Sequence, residues 1–167
     1  MNLYLLRHGL AVEPGSPGYA RDADRPLLPK GERKLRKTAR ALVALGLRFD
    51  MIFSSPYLRA RQTAAIVAEP FELQSKIEFV DALTPGSSPR STVEMLRHAG
   101  RSLENVLLVG HEPHLSSLIS LLVGGSTEFS VVMKKGGLCK LSVESLLAGR
   151  CASLHWLLTA KQLALMA

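Results

Sequence analysis

The chain has 167 residues, 47% of them apolar and 21% charged, a composition that excludes a disordered or fibrous protein and suffices to bury one core in a single domain, 1–167. Its net charge of +7 is concentrated in residues 21–61, which hold 11 Lys/Arg against Asp22, Asp24, Glu32 and Asp50, leaving the rest neutral overall. That bias implies an anionic partner or a solvated helix face, and since Arg7-His8 interrupts the first apolar run, no signal peptide is expected.

Leu3–Leu6 reads as a short buried strand. Residues 10–28, with Pro14, Gly15, Pro17 and Gly18, read as a long loop. Pro29 opens a predicted helix with an apolar stripe of Leu35, Ala39, Leu42 and Leu45, and Gly46 closes it. Lys30, Arg33, Lys34, Arg36 and Lys37 read as its solvated face. Asp50–Ser54 is a second predicted strand, with Ser55-Pro56 as N-cap and first-turn proline of a helix reaching Glu69. A short strand at Ile77–Val80, a helix ending near Gly100, an apolar strand at Val106–Val109 and a helix from Pro113 to Val123 follow. Two strands, 137–145 and 153–159, complete the pattern. The longest apolar run, Leu115–Val123, carries three serines and is far short of a membrane span, so a cytoplasmic protein without membrane contact is expected. Strand–helix alternation predicts an α/β fold, a three-layer α/β/α sandwich with a mostly parallel central sheet. Cys139 and Cys151 fit no metal or redox spacing and read as small apolar fillers.

Ligands of parallel sheets collect beyond the carboxyl ends of the strands. Three chemistry-bearing groups fall there. Arg7-His8-Gly9 follows the first strand, Ser54-Ser55-Pro56-Tyr57-Leu58-Arg59 the second, and Gly110-His111-Glu112-Pro113 the Val106–Val109 run. Arg59, in a first helical turn, leans toward the helix N-terminus, where free N–H groups and the dipole favour an anion. A guanidinium fork grips phosphate oxygens in pairs. Two arginines and two imidazoles converging on one point would hold a tetrahedral dianion, with no metal or cofactor expected. His111-x-x-His114 has no third ligand at a zinc spacing.

In order, Leu6-Arg7-His8-Gly9, Ser54-Ser55-Pro56-x-x-Arg59-Ala60-x-Gln62-Thr63 and Val109-Gly110-His111-Glu112-Pro113 resemble the histidine phosphatase superfamily, of phosphoglycerate mutase-like fold. The short length, Arg25-Pro26-Leu27 and Leu83-Thr84-Pro85 resemble its small bacterial branch, the SixA-type phosphohistidine phosphatases. The resemblance implies that His8 is the nucleophile, transiently phosphorylated and then hydrolysed, while Arg7, Arg59 and His111 hold the phosphoryl oxygens. Such an imidazole must be neutral at its attacking nitrogen, so the other nitrogen needs an acceptor such as a backbone carbonyl. Gln62 and Thr63 are expected to support Arg59 and helix packing.

The proton donor is less defined. Asp22 stands where the small branch resembles Asp-x-x-Arg-Pro-Leu and is favoured over Asp24 as a catalytic carboxylate. Larger relatives use a glutamate at a place taken here by Ala82, beside Asp81. The alternative for Asp22 and Asp24 is a loop-stabilising role, paired with Arg21 or Arg25. Leu28 replaces the Thr that relatives often place before the Pro29 helix. The expected activity is that of a metal-independent phosphatase acting through phospho-His8. Its expected substrate is the phosphohistidine of a signalling protein, such as a phosphotransfer domain, whose P–N bond needs little acid catalysis. Small phosphate esters such as sugar phosphates are the alternative substrates, and a non-catalytic phosphoprotein- or nucleic-acid-binding module is the alternative class. No aromatic platform accompanies the basic residues, so no nucleic-acid partner is expected.

Overall fold

Continuous apolar runs become strands covered on both faces, the environment of interior parallel strands. A computed structural model describes residues 1–99 and 103–166 of the chain. It contains strands β1 (Asn2–Arg7), β2 (Met51–Ser54), β3 (Ile77–Phe79), β4 (Asn105–Gly110), β5 (Leu138–Val143) and β6 (Ala152–Leu158). The α-helices are α1 (Pro29–Ala44), α2 (Leu58–Ala68), α3 (Pro89–His98), α4 (His114–Gly124) and α5 (Ala160–Leu163). The strands form one sheet in the order β3-β2-β4-β1-β5-β6. β1 to β4 pair in parallel, β5 runs antiparallel to β1, and β6 antiparallel to β5.

Alternation along the strands divides the core into two layers. Leu3, Leu5, Val106 and Leu108 pack with Val93, Leu96, Leu115 and Leu118 from α3 and α4. Tyr4, Leu6, Leu107 and Val109 pack on the other face with Ala39, Leu42, Ala60 and Ala64 from α1 and α2, and Leu163 from α5. The predicted sandwich with its mostly parallel sheet is the fold the chain adopts. Among the described residues no helix is long and apolar enough to cross a membrane.

Register places the site. Arg7 stands opposite Gly110 across β1 and β4, and Ser54 opposite Val109 across β2 and β4. The residues that follow, His8, His111 and Ser55, therefore leave the sheet at one level. The loop 10–28 is stitched down rather than free: Ala11 bridges Leu27, Val12 N–H donates to Pro26 O, and Leu28 N–H to Leu10 O. Its 3-10 turn, Asp22–Asp24, is thereby held against the start of α2, where Arg59 reaches Asp22.

Three sequence expectations change. Ser55 does not cap α2, which begins at Leu58 behind Tyr57; the Ser55 N–H still bonds Val109 O, so the backbone follows the sheet before it turns. Leu45 is not on the buried stripe but 42% exposed, because α1 has ended and Gly46 (φ 67°) reverses the chain. The helix before the fourth strand ends at His98, and Gly100 lies outside the described residues. Lys30, Arg33, Lys34, Arg36 and Lys37 are exposed, as expected of a solvated face. Leu28 precedes α1 without a side-chain cap. Cys139 is buried in β5, where burial pushes its thiol up to about 12, and Cys151 is half-buried.

Candidate active site

His8 follows β1 with its N–H on Gly110 O (3.0 Å). Gly9 comes next because a Cβ there would meet Leu35 Cδ1 of α1 at 2.6 Å. The loop 133–137 wraps the same turn: Gly136, at φ 73°, donates its N–H to the carbonyls of both Arg7 and His8. Met133 O accepts from Arg7 Nη1 (2.7 Å), while Arg7 Nε is buried without a partner among the described residues.

The His8 ring is buried, and its Nδ1 lies 2.7 Å from Gly9 O. A carbonyl can only accept, so Nδ1 carries the proton and Nε2 keeps a lone pair. Arg59 Nε–H points at that lone pair from 3.3 Å. Burial first, and then the charges of Arg59, Arg7 and Lys135, push His8 down to about 3, so the ring is neutral at neutral pH. Thr63 ties two motifs together, with its hydroxyl accepting from Gly9 N–H (3.1 Å) and donating to Arg59 O (2.7 Å). Gln62 Oε1 accepts from Leu27 N–H and anchors the 10–28 loop.

His111 lies beside His8, ring centroids 5.0 Å apart, with the Tyr57 ring edge-on at 5.3 Å. Its Nε2 is 2.8 Å from Ser55 Oγ, and its Nδ1 is buried with no partner among the described residues. Burial, followed by the neighbouring His8 and Arg59, lowers it to about 2. His8, Arg59 and His111 thus meet at one place, with the Arg7 charge close enough to act on His8. Two neutral imidazoles and two guanidinium groups make a donor-rich cluster suited to an acceptor-only oxyanion.

Residues 3–84 match the model of the histidine phosphatase superfamily (branch 1). The chain is 38% identical over 142 residues to an uncharacterised protein of Picosynechococcus sp., covering 84% of each. It is 30% identical over 133 residues to the phosphohistidine phosphatase SixA homolog of Haemophilus influenzae, covering 74% of this chain and 78% of that one. The chain belongs to the histidine phosphatase superfamily. It also shares the fold of a solved SixA, a protein histidine phosphatase complexed with tungstate, at a TM-score of 0.85 and 24% identity over 98% of this chain and 99% of the other.

Around these four residues this superfamily member adds a salt-bridged clamp. Arg59 Nη1 donates to Asp22 O (2.6 Å) and Nη2 to Asp22 Oδ2 (2.8 Å). Asp22 Oδ1 accepts from Arg25 Nε (2.8 Å) and Nη2 (2.5 Å), and Arg25 Nη1 donates to Val12 O. Desolvation would raise the Asp22 carboxyl, but the hydrogen bonds and charges of Arg25 and Arg59 hold it below its ordinary value. Asp22 is therefore at the site, as an ionised acceptor. Asp24 points to Arg21 (3.4 Å) on the exposed side, and Asp81 is exposed on its own 3-10 turn. His114 does not join: Nδ1 bonds Ser87 O and Nε2 the Thr92 hydroxyl, between α3 and α4. Among the described residues no group of His, Cys, Asp and Glu is arranged to hold a metal ion.

Sequence reasoning missed Ser55, whose Ser-Pro context imitates a helix cap. The pairing of Asp22 with Arg25, the alternative the sequence offered, is present in the structure, with Val12 O as a further partner of Arg25. The carbonyls of Gly9 and Met133 carry no signal in residue type.

Proposed function

We propose that the protein is a metal-independent phosphatase working through phospho-His8, with a phosphohistidine of a signalling protein as its substrate. The observation that supports this most is the His8 ring itself: Nδ1–H on Gly9 O and an unprotonated Nε2, whose lone pair Arg59 Nε–H meets at 3.3 Å, beside His111. Nε2 attacks phosphorus in line, forming the P–Nε2 bond as the substrate P–N bond breaks and its electron pair leaves with the imidazole. Arg7, Arg59 and His111 donate to the phosphoryl oxygens as charge redistributes. Water then attacks phospho-His8, the P–Nε2 bond breaks, and inorganic phosphate leaves with the lone pair restored to Nε2. Asp22 is assigned to alignment of Arg59, since the two arginines disfavour the protonated carboxyl a donor would need. The protein substrate is supported by the likeness to the Haemophilus influenzae relative, a phosphohistidine phosphatase SixA homolog.

His8→Ala tests the chemistry. Turnover of a phosphohistidine peptide is expected to fall by at least about 100-fold, as loss of a covalent catalyst demands. Undiminished turnover would reject the covalent route. A higher kcat/KM on sugar phosphates than on a phosphohistidine domain would move the substrate to small esters.

A further inference from the structure

Ser55 is wholly buried, with its hydroxyl between the Tyr57 N–H (3.3 Å) and His111 Nε2 (2.8 Å). A hydroxyl has one proton to give and two lone pairs to accept with. The Tyr57 N–H can only donate, so it occupies a lone pair. If Nε2 of His111 were protonated it would donate too, leaving the buried Ser55 proton with no acceptor among the described residues. His111 Nδ1 would then be a bare acceptor in a cavity already crowded with donors, and each such unpaired buried group is costly. The opposite assignment pairs the Ser55 proton with Nε2 and leaves one group, the Nδ1–H donor, without a partner among the described residues.

We infer that Ser55 is a positioning residue: its hydroxyl donates to His111 Nε2 and fixes His111 as the Nδ1–H tautomer, holding that N–H for a phosphoryl oxygen beside His8. Two observations point the same way. Nδ1 of His111 and Nε of Arg7 are both buried without partners among the described residues, and both belong to residues grouped at His8. A phosphoryl group, which only accepts, would satisfy both donors. The identity of that acceptor rests on the phosphatase reading above, but the tautomer does not.

Long-range 1H–15N correlation spectra of the histidine-labelled wild-type protein read the tautomer directly, with His111 assigned by loss of its signals in His111→Asn. A protonated Nδ1 and a bare Nε2 are expected, and inorganic phosphate should shift the Nδ1 resonance. A protonated Nε2 would overturn the inference, whatever the activity. In Ser55→Ala the single tautomer should give way to a mixture, and kcat should fall about 10-fold or more, as when one preorganised donor is lost. Ser55→Thr, which keeps the hydroxyl, should restore both the tautomer and kcat to within a few-fold. Unchanged tautomer and kcat in Ser55→Ala would also overturn it. A wild-type protein inactive on every phosphate compound, yet holding His111 as Nδ1–H, would sink the phosphatase reading and leave the tautomer assignment standing.

Discussion

Basic residues of the 21–61 stretch meet two opposite fates. On α1, Lys30, Arg33, Lys34, Arg36 and Lys37 project into water, and Arg36 reaches only an exposed pair with Glu69. Arg25 and Arg59 are 7% and 3% exposed, and their forks are spent on Val12 O, Asp22 and His8 Nε2. The charge is the same; the surroundings differ. In water an ion pair exchanges solvation for little gain, whereas under cover every N–H requires a particular acceptor and so acquires a direction. Counting charges finds the stretch, but burial selects the two arginines that shape the site.

The largest contrast is expected at Arg59. Arg59→Ala should lower kcat/KM by about 100- to 1,000-fold, and Arg59→Lys nearly as much, because a point charge cannot replace a fork. Steady-state kinetics beside Arg36→Lys, expected at wild-type rate, checks this; a fully active Arg59→Lys would erase the distinction between the two regions.

Next in size is the pH dependence of stability. His8 and His111 fold with values near 3 and 2, below the roughly 6.5 of an unfolded histidine. The unfolded chain therefore takes up protons first, and stability falls as pH drops from about 6.5 towards 3. The slope should approach about 1.4 kcal/mol per pH unit for each ring. Urea unfolding at pH 7, 6 and 5 measures it, and a flat profile would show that the rings are solvated rather than buried.

Arg25→Met should cost about 1–3 kcal/mol in denaturant unfolding, since a buried guanidinium and its charge-assisted bonds to Val12 O and Asp22 Oδ1 are lost. The smallest effect belongs to the outer face. Arg36→Ala should change stability by no more than about 0.5 kcal/mol despite its ion pair. A loss comparable to that of Arg25→Met would mean that α1 is not simply solvated.

Leu3–Leu6 and Val106–Val109 were legible because interior parallel strands are uniformly apolar, and α1 because its periodicity ends at a glycine in the left-handed region. The residue types at the site were legible too, from three motifs in order at strand ends. Ser55 was not, since a serine before a proline satisfies the local rule for a cap while its hydroxyl serves His111, 56 residues away. Leu45 followed the helical stripe on paper but lies past the last turn.

Residue order alone determined the alternation of elements, the family, and which imidazoles and guanidinium groups were available. The folded chain decided their partners: the register aligning Arg7 with Gly110 and Ser54 with Val109, the Gly9 carbonyl on His8, the Met133 carbonyl on Arg7 and the Asp22 clamp on Arg59. Local preferences extend over a few neighbours, whereas hydrogen bonds depend on tenths of an ångström between residues up to 142 positions apart. Backbone carbonyls, moreover, are alike in every residue, so only the folded structure shows which of them face the site.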